Sequence, residues 1–116
     1  MGPSILKCMQ TQSLAELFAK FHAEQHGSAP ATISVQELPG MIVVLSSGVF
    51  TNTEKQLADT EEGRKIVQSA RRELRSLTRR QIETQVALSA RRKVLRSYYD
   101  IDVRLGEQVE VYVTEE

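Results

Sequence analysis

Residues 31–45 read ATISVQELPGMIVVL, and the fold class turns on them. Ile33 and Val35 alternate with Thr32, Ser34 and Gln36, the period of a half-buried strand. Pro39-Gly40 is a turn dipeptide. Met41 to Leu45 is a continuous apolar, β-branched run, too short for a helix, which predicts a strand buried on both faces. Together they make a hairpin. A second hairpin closes the chain. Val94–Val103 and Val109–Val113 are β-rich and flank the turn Leu105-Gly106-Glu107. In its last strand Val109, Val111 and Val113 alternate with Gln108, Glu110 and Tyr112, so one face is apolar and the other polar.

Helical patterns fill the rest. Ser13 suits an N-cap with Glu16 three residues on, and Leu14, Leu17, Phe18 and Phe21 form one apolar stripe. This helix should end near His26, before Gly27 and Pro30. Thr51-Asn52-Thr53-Glu54 matches a capping box. Gly63 interrupts the pattern, while Thr60-Glu61-Glu62 can open a second helix, so a short helix precedes a long one. The expected fold is α+β: a four-stranded, largely antiparallel sheet of two hairpins, covered by an N-terminal helix and a long, bent, basic helix. Residues 1–12 read as a flexible lead and 13–116 as a single domain.

Composition excludes several classes. With 116 residues, 41% of them hydrophobic and 26% charged, the chain suits one globular domain. No apolar run approaches the roughly 20 residues that span a bilayer. The first ten residues lack the features of a signal peptide, and the single Cys8 gives no internal disulfide. A cytoplasmic location is expected.

A net charge of zero conceals an asymmetry. Between Arg64 and Arg96 eleven basic residues face only Glu73 and Glu83, leaving a matching acidic excess elsewhere. Either an anionic partner answers the basic stretch, or the basic helix docks beside acidic strands of its own fold. On the long helix Ile66, Val67, Ala70, Leu74 and Leu77 share one face; Arg64, Arg71, Arg75 and Arg79 share the other, with Arg72 at its margin. Those five arginines are the expected partner-binding surface. Ile82 and Val86 then fall on the basic side. The helix therefore bends near Thr78–Arg80, or Ile82 and Val86 form a homodimer interface.

Catalytic signatures do not stand out. His22 and His26 lie one turn apart, but Glu24 is misplaced for a zinc-protease motif and no third ligand follows, so two exposed histidines in a last turn are expected. Cys8 lacks an environment that would lower its pKa. Asp100 and Asp102 share a strand face and read as solvated carboxylates facing the basic helix instead of an ion site. The scattered glycines form no phosphate loop. No metal and no cofactor are expected, and the reading leans against an enzyme. A nucleic-acid-binding module using the arginine helix is the alternative, although no aromatic residue interleaves with those arginines.

Gly27-Ser28-Ala29-Pro30, the strand Met41–Leu45, Gly48-Val49-Phe50-Thr51-Asn52-Thr53-Glu54, Gly63, Arg71-Arg72 with Leu74, and the Asp-containing strand leading through Gly106-Glu107 to a Val-rich end resemble the bacterial MpsC-like family. The resemblance covers about Leu14 to Val113. It departs at Ala29, where the family's turn usually has a second glycine. It implies a small cytoplasmic accessory protein without established catalytic residues, the soluble companion of a Na+-translocating, membrane-potential-generating system linked to inorganic-carbon uptake. The expected function is therefore that of a non-enzymatic accessory or regulatory protein, acting by protein–protein contact as a homodimer, with a membrane-associated transport system or another protein as its partner.

Overall fold

The computed structural model describes the backbone of residues 3–116 and the side chains from Leu14 onward. Its elements are α1 (Pro3–His26), β1 (Thr32–Leu38), β2 (Met41–Ser47), α2 (Asn52–Leu57), α3 (Glu61–Ala90), β3 (Val94–Asp102) and β4 (Glu107–Thr114). Because α1 begins at Pro3, Ser13 lies within the helix; its expected capping side chain and the expected lead over 1–12 fall outside the described side chains. Gly27, at φ 87°, ends α1 as expected.

The four strands form one antiparallel sheet in the order β1-β2-β4-β3. Both predicted hairpins are present, and β2 and β4 pair in the centre, Val43 opposite Val111. Gly40 and Gly106 take the positive φ of their turns. In α2 the capping box forms completely: Glu54 N–H donates to Thr51 Oγ1 at 3.2 Å, and Thr51 N–H donates to Glu54 Oε1 at 2.9 Å. Thr60 caps α3 by accepting from Gly63 N–H at 2.9 Å. Gly63 also permits a close approach, since a Cβ there would lie 1.7 Å from the Leu57 carbonyl oxygen.

α1 and α3 pack against each other and against one face of the sheet. The core between them contains Leu14 and Phe18 of α1, Ile42 and Val44 of β2, Ile82, Val86 and Ala90 of α3, and Tyr112 of β4. The Phe18 and Tyr112 rings meet at 5.6 Å between centroids.

Two expectations about faces are corrected here. β2 is buried on one face only: Ile42, Val44 and Ser46 point inward, while Met41 and Leu45 are exposed. In β4 the polar set is the inner one. Gln108, Glu110, Tyr112 and Thr114 are buried beneath the helices, and Val109, Val111 and Val113 lie on the outer face, where no described element covers them.

α3 reverses its expected orientation for a related reason. Its buried line is Gly63, Val67, Arg71, Ile82, Val86 and Ala90, with Leu74, Arg75 and Thr78 bridging the middle of it. A spacing of four residues slightly overshoots the 3.6-residue turn, so this line slants around the helix. Ile66 and Leu77, placed in the core by the sequence reading, are 56% and 74% exposed. Ile82 and Val86 are not a dimer interface. They sit in the intrachain core at 1% and 0% exposure, on the same slanting line as Val67, in a helix that runs unbroken from Glu61 to Ala90.

Candidate functional site

The slanting line carries arginines into the interior, and a buried guanidinium requires a partner. Arg71 obtains several. Its Nε donates to Glu54 Oε2 and its Nη2 to Glu54 Oε1, both at 2.7 Å, a bidentate pair. Nη2 also donates to the Val49 carbonyl at 2.5 Å, and Nη1 to His22 Nε2 at 3.1 Å. The other nitrogen of His22, Nδ1, donates to the Ser28 carbonyl at 2.6 Å. The ring is thereby held neutral with its proton on Nδ1. This network joins α1, the turn after it, the loop before α2, α2 itself and α3.

Arg75 lies one turn on, facing the sheet. Its Nη2 donates to Ser97 Oγ at 3.0 Å, and its guanidinium carbon stands 5.9 Å and 5.8 Å from the Tyr99 and Tyr112 ring centroids. Its Nε is 3.5 Å from Glu110 Oε1 but makes no hydrogen bond, so a buried donor is unsatisfied. The Tyr112 hydroxyl donates to Glu110 Oε1 at 2.5 Å.

Between the two networks lies a cavity of about 40 Å³ reached by His22, His26, Arg75, Tyr99, Gln108 and Glu110. Titration in it is shifted by burial. Burial pushes His22 below the usual imidazole range, and it takes His26 down to about 4, with Arg71 and His22 adding to that effect. For Glu54 burial acts to raise the pKa, but the Arg71 and Thr51 hydrogen bonds outweigh it and hold the group low. Burial raises Glu110, and it raises Tyr99 to about 12.

The predicted site residues scatter accordingly. Arg71 is buried and Arg75 nearly so; neither belongs to a surface that meets a partner. Arg64 donates to the Ala58 carbonyl at 3.0 Å, Arg72 forms an exposed pair with Asp100 at 2.9 Å, and Arg79 is exposed. The charge asymmetry is answered largely within the fold. Arg71 meets Glu54, Arg72 meets Asp100, Arg75 approaches Glu110, and Arg92 approaches Glu37 at 3.9 Å. His22 and His26 are not an exposed pair: His22 is buried, and the rings lie 4.6 Å apart. Among the described residues no group of three metal-ligating side chains is brought together.

The opposite face of the sheet is a second candidate. Its rows run Met41, Val43, Leu45 on β2, then Val113, Val111, Val109 on β4, then Arg96, Tyr98, Asp100 on β3. Tyr98 is 58% exposed, and Leu38, Met41 and Leu45 are exposed as well. A contiguous apolar patch of this kind, rimmed by charge, is unusual for a surface that meets only water.

Fold and sites define a small α+β domain with a helical layer on one sheet face, a small cavity of mixed lining beneath that layer and an open apolar face opposite. No described helix is long and apolar enough to cross a membrane. Over residues 7–116 the chain matches the family model described as Na+-translocating membrane potential-generating system (MpsC), and it belongs to that family. No curated protein and no solved structure matches it.

Proposed function

We propose that this chain is a non-enzymatic, cytoplasmic accessory protein of a Na+-translocating, membrane-potential-generating system, acting by protein–protein contact as a homodimer. Family membership supports the link to such a system. The observation that carries the mode of action is the open sheet face with its central valines.

A second copy of the chain is its occupant. Along β3 the outer face is basic at Arg96 and acidic at Asp102, with Tyr98 between them. A two-fold axis lying across the strands stacks β3 over β3 in reverse, so each Arg96 approaches the other copy's acidic end. The same operation lays Val111 and Val43 near the centre of the interface. Aligned sheet-on-sheet packing provides the geometry, with the two inner faces about 10 Å apart. The helical layers then point outward, presenting Arg64, Arg72 and Arg79 to the membrane partner.

Binding to membranes that carry the Na+-translocating system tests the reading. Wild-type protein should co-sediment with them, and the double variant Arg72→Glu, Arg79→Glu should lose that association while its oligomeric state stays unchanged. Equal recovery of wild type and variant, or no recovery of either, overturns it.

A further inference from the structure

Arg75 is a buried cation whose compensation is incomplete. Its side chain is 10% exposed, its Nε has no hydrogen-bond acceptor, and Glu110, the nearest carboxylate, stands 3.5 Å away with Oε1 already taken by Tyr112. Arg71, by contrast, is matched by a bidentate carboxylate. The cavity beside Arg75 offers about 40 Å³ and is partly open to solvent. One water needs about 10–15 Å³ on this measure, so three or four non-hydrogen atoms fill it. Most of its wall is apolar, from Phe18, Phe21, Pro30 and Leu74, and only the end at Arg75 and Gln108 offers donors to an acceptor-rich guest. Gln108 Oε1 accepts from the Tyr99 hydroxyl at 3.3 Å, leaving the Gln108 amide hydrogens as donors. Arg75 Nη2 donates to Ser97 and, at 3.4 Å, to the Tyr112 hydroxyl, while its buried Nε–H, 3.5 Å from Glu110 Oε1, makes no hydrogen bond. The carboxylate that competes for Arg75 is Glu110.

We propose that this cavity binds one small planar oxyanion, of the size of formate, acetate or nitrate, on Arg75, and that the guest and the Glu110 carboxylate compete for that arginine. A planar oxyanion matches the flat guanidinium fork. Two anions against one buried cation repel, so the guest enters as Glu110 takes up a proton. Glu110 is faced by Arg75 from α3, by Tyr99 from β3 and by Tyr112 on its own strand, while His22 and His26 of α1 line the far side of the same cavity. Both imidazoles are held neutral near neutral pH, so neither replaces Arg75 as the cation. The arrangement makes the α1–α3–sheet junction responsive to a small anion and a proton together. This inference is independent of the homodimer, because the cavity and the open face lie on opposite sides of the sheet.

The experiment is a titration of the full chain followed through the Nε–Hε resonance of Arg75, assigned by its absence from Arg75→Lys. Formate and acetate should shift it saturably. Pivalate, which carries the same carboxylate but is too large for the cavity, should not. In Glu110→Gln the rival charge is gone, so half-saturation should occur at several-fold lower formate, and its dependence on pH should largely vanish. The absence of a saturable shift, or an equal response to pivalate, overturns the site. An unchanged formate affinity in Glu110→Gln overturns the competition. Should Arg75→Lys unfold, the same resonance is identified by its proximity to Tyr99 and Tyr112, and the Glu110→Gln comparison still decides.

Discussion

Arg71 and Arg72 are neighbours in sequence with opposite environments, and replacing each in turn measures how far the interior depends on a charged network. The Arg71 side chain is 2% exposed, and Arg71→Met removes four hydrogen bonds at once. Breaking a buried ion pair costs about 3–5 kcal/mol. Glu54 retains its cap on Thr51 and some exposure, which favours the lower end of that range. His22 Nε2 and the Val49 carbonyl are left as buried acceptors, each costing about 1–3 kcal/mol unless water reaches it. The smaller methionine admits some water, so a total of about 4–6 kcal/mol is expected, much of the roughly 5–15 kcal/mol that a domain has. Arg72→Ala removes only an exposed pair and should cost less than about 1 kcal/mol. Urea unfolding at constant slope provides the assay. The double variant Arg71→Met, Glu54→Gln should be more stable than the sum of its single variants implies, by about 1–3 kcal/mol, because it removes both buried charges together. An Arg71→Met protein within about 1 kcal/mol of wild type, or one no worse than Arg72→Ala, would refute the buried network.

Four further outcomes follow from local geometry. Thr51→Ala removes the α2 cap and should cost about 1 kcal/mol, read as a lower urea midpoint. Gly63→Ala gains about 1 kcal/mol of helix propensity, yet its Cβ would meet the Leu57 carbonyl oxygen at 1.7 Å, so the variant should be less stable than wild type; a higher melting temperature would contradict that contact. Arg91 closes α3 at φ 57°, and Arg91→Gly should raise stability by about 0.5–1 kcal/mol in the same assay. His26 titrates at about 4 in the folded chain against about 6.5 when unfolded, so the unfolded state binds the proton first. Its contribution is complete above about pH 6.5 and is lost as pH falls toward 4. The drop in unfolding midpoint across that window should shrink in His26→Gln.

What the sequence made legible was local. The capping box at Thr51 and Glu54, the start of a second helix at Thr60-Glu61-Glu62 and the turns at Gly27, Gly40 and Gly106 each depend on residues a few positions apart, and all appear in the structure; the interruption expected at Gly63 falls before Thr60 instead. Which face of an element is covered depends on distant partners, and there the reading of residues fails. Val109, Val111 and Val113 look like a core face in isolation, but the helices cover the face of Glu110 and Tyr112 instead. Arg71 looks like a surface residue until Glu54 and His22, seventeen and forty-nine residues away, are brought to it. One signal was available. The misfit of Ile82 and Val86 with the assumed apolar stripe disappears when the line is drawn through Val67 and Arg71, which makes the buried arginines visible as well.

The central claim is that the open sheet face is covered by a second copy of the chain, and light scattering on the eluting protein tests it most directly. Wild type should elute as a dimer. Val111→Lys should elute as a folded monomer with an unchanged circular dichroism spectrum, because Val111 lies at the middle of the outer face, between Val43 and Tyr98, and outside the core. A wild-type chain that stays monomeric at high concentration, or a Val111→Lys variant that remains dimeric, would contradict the account.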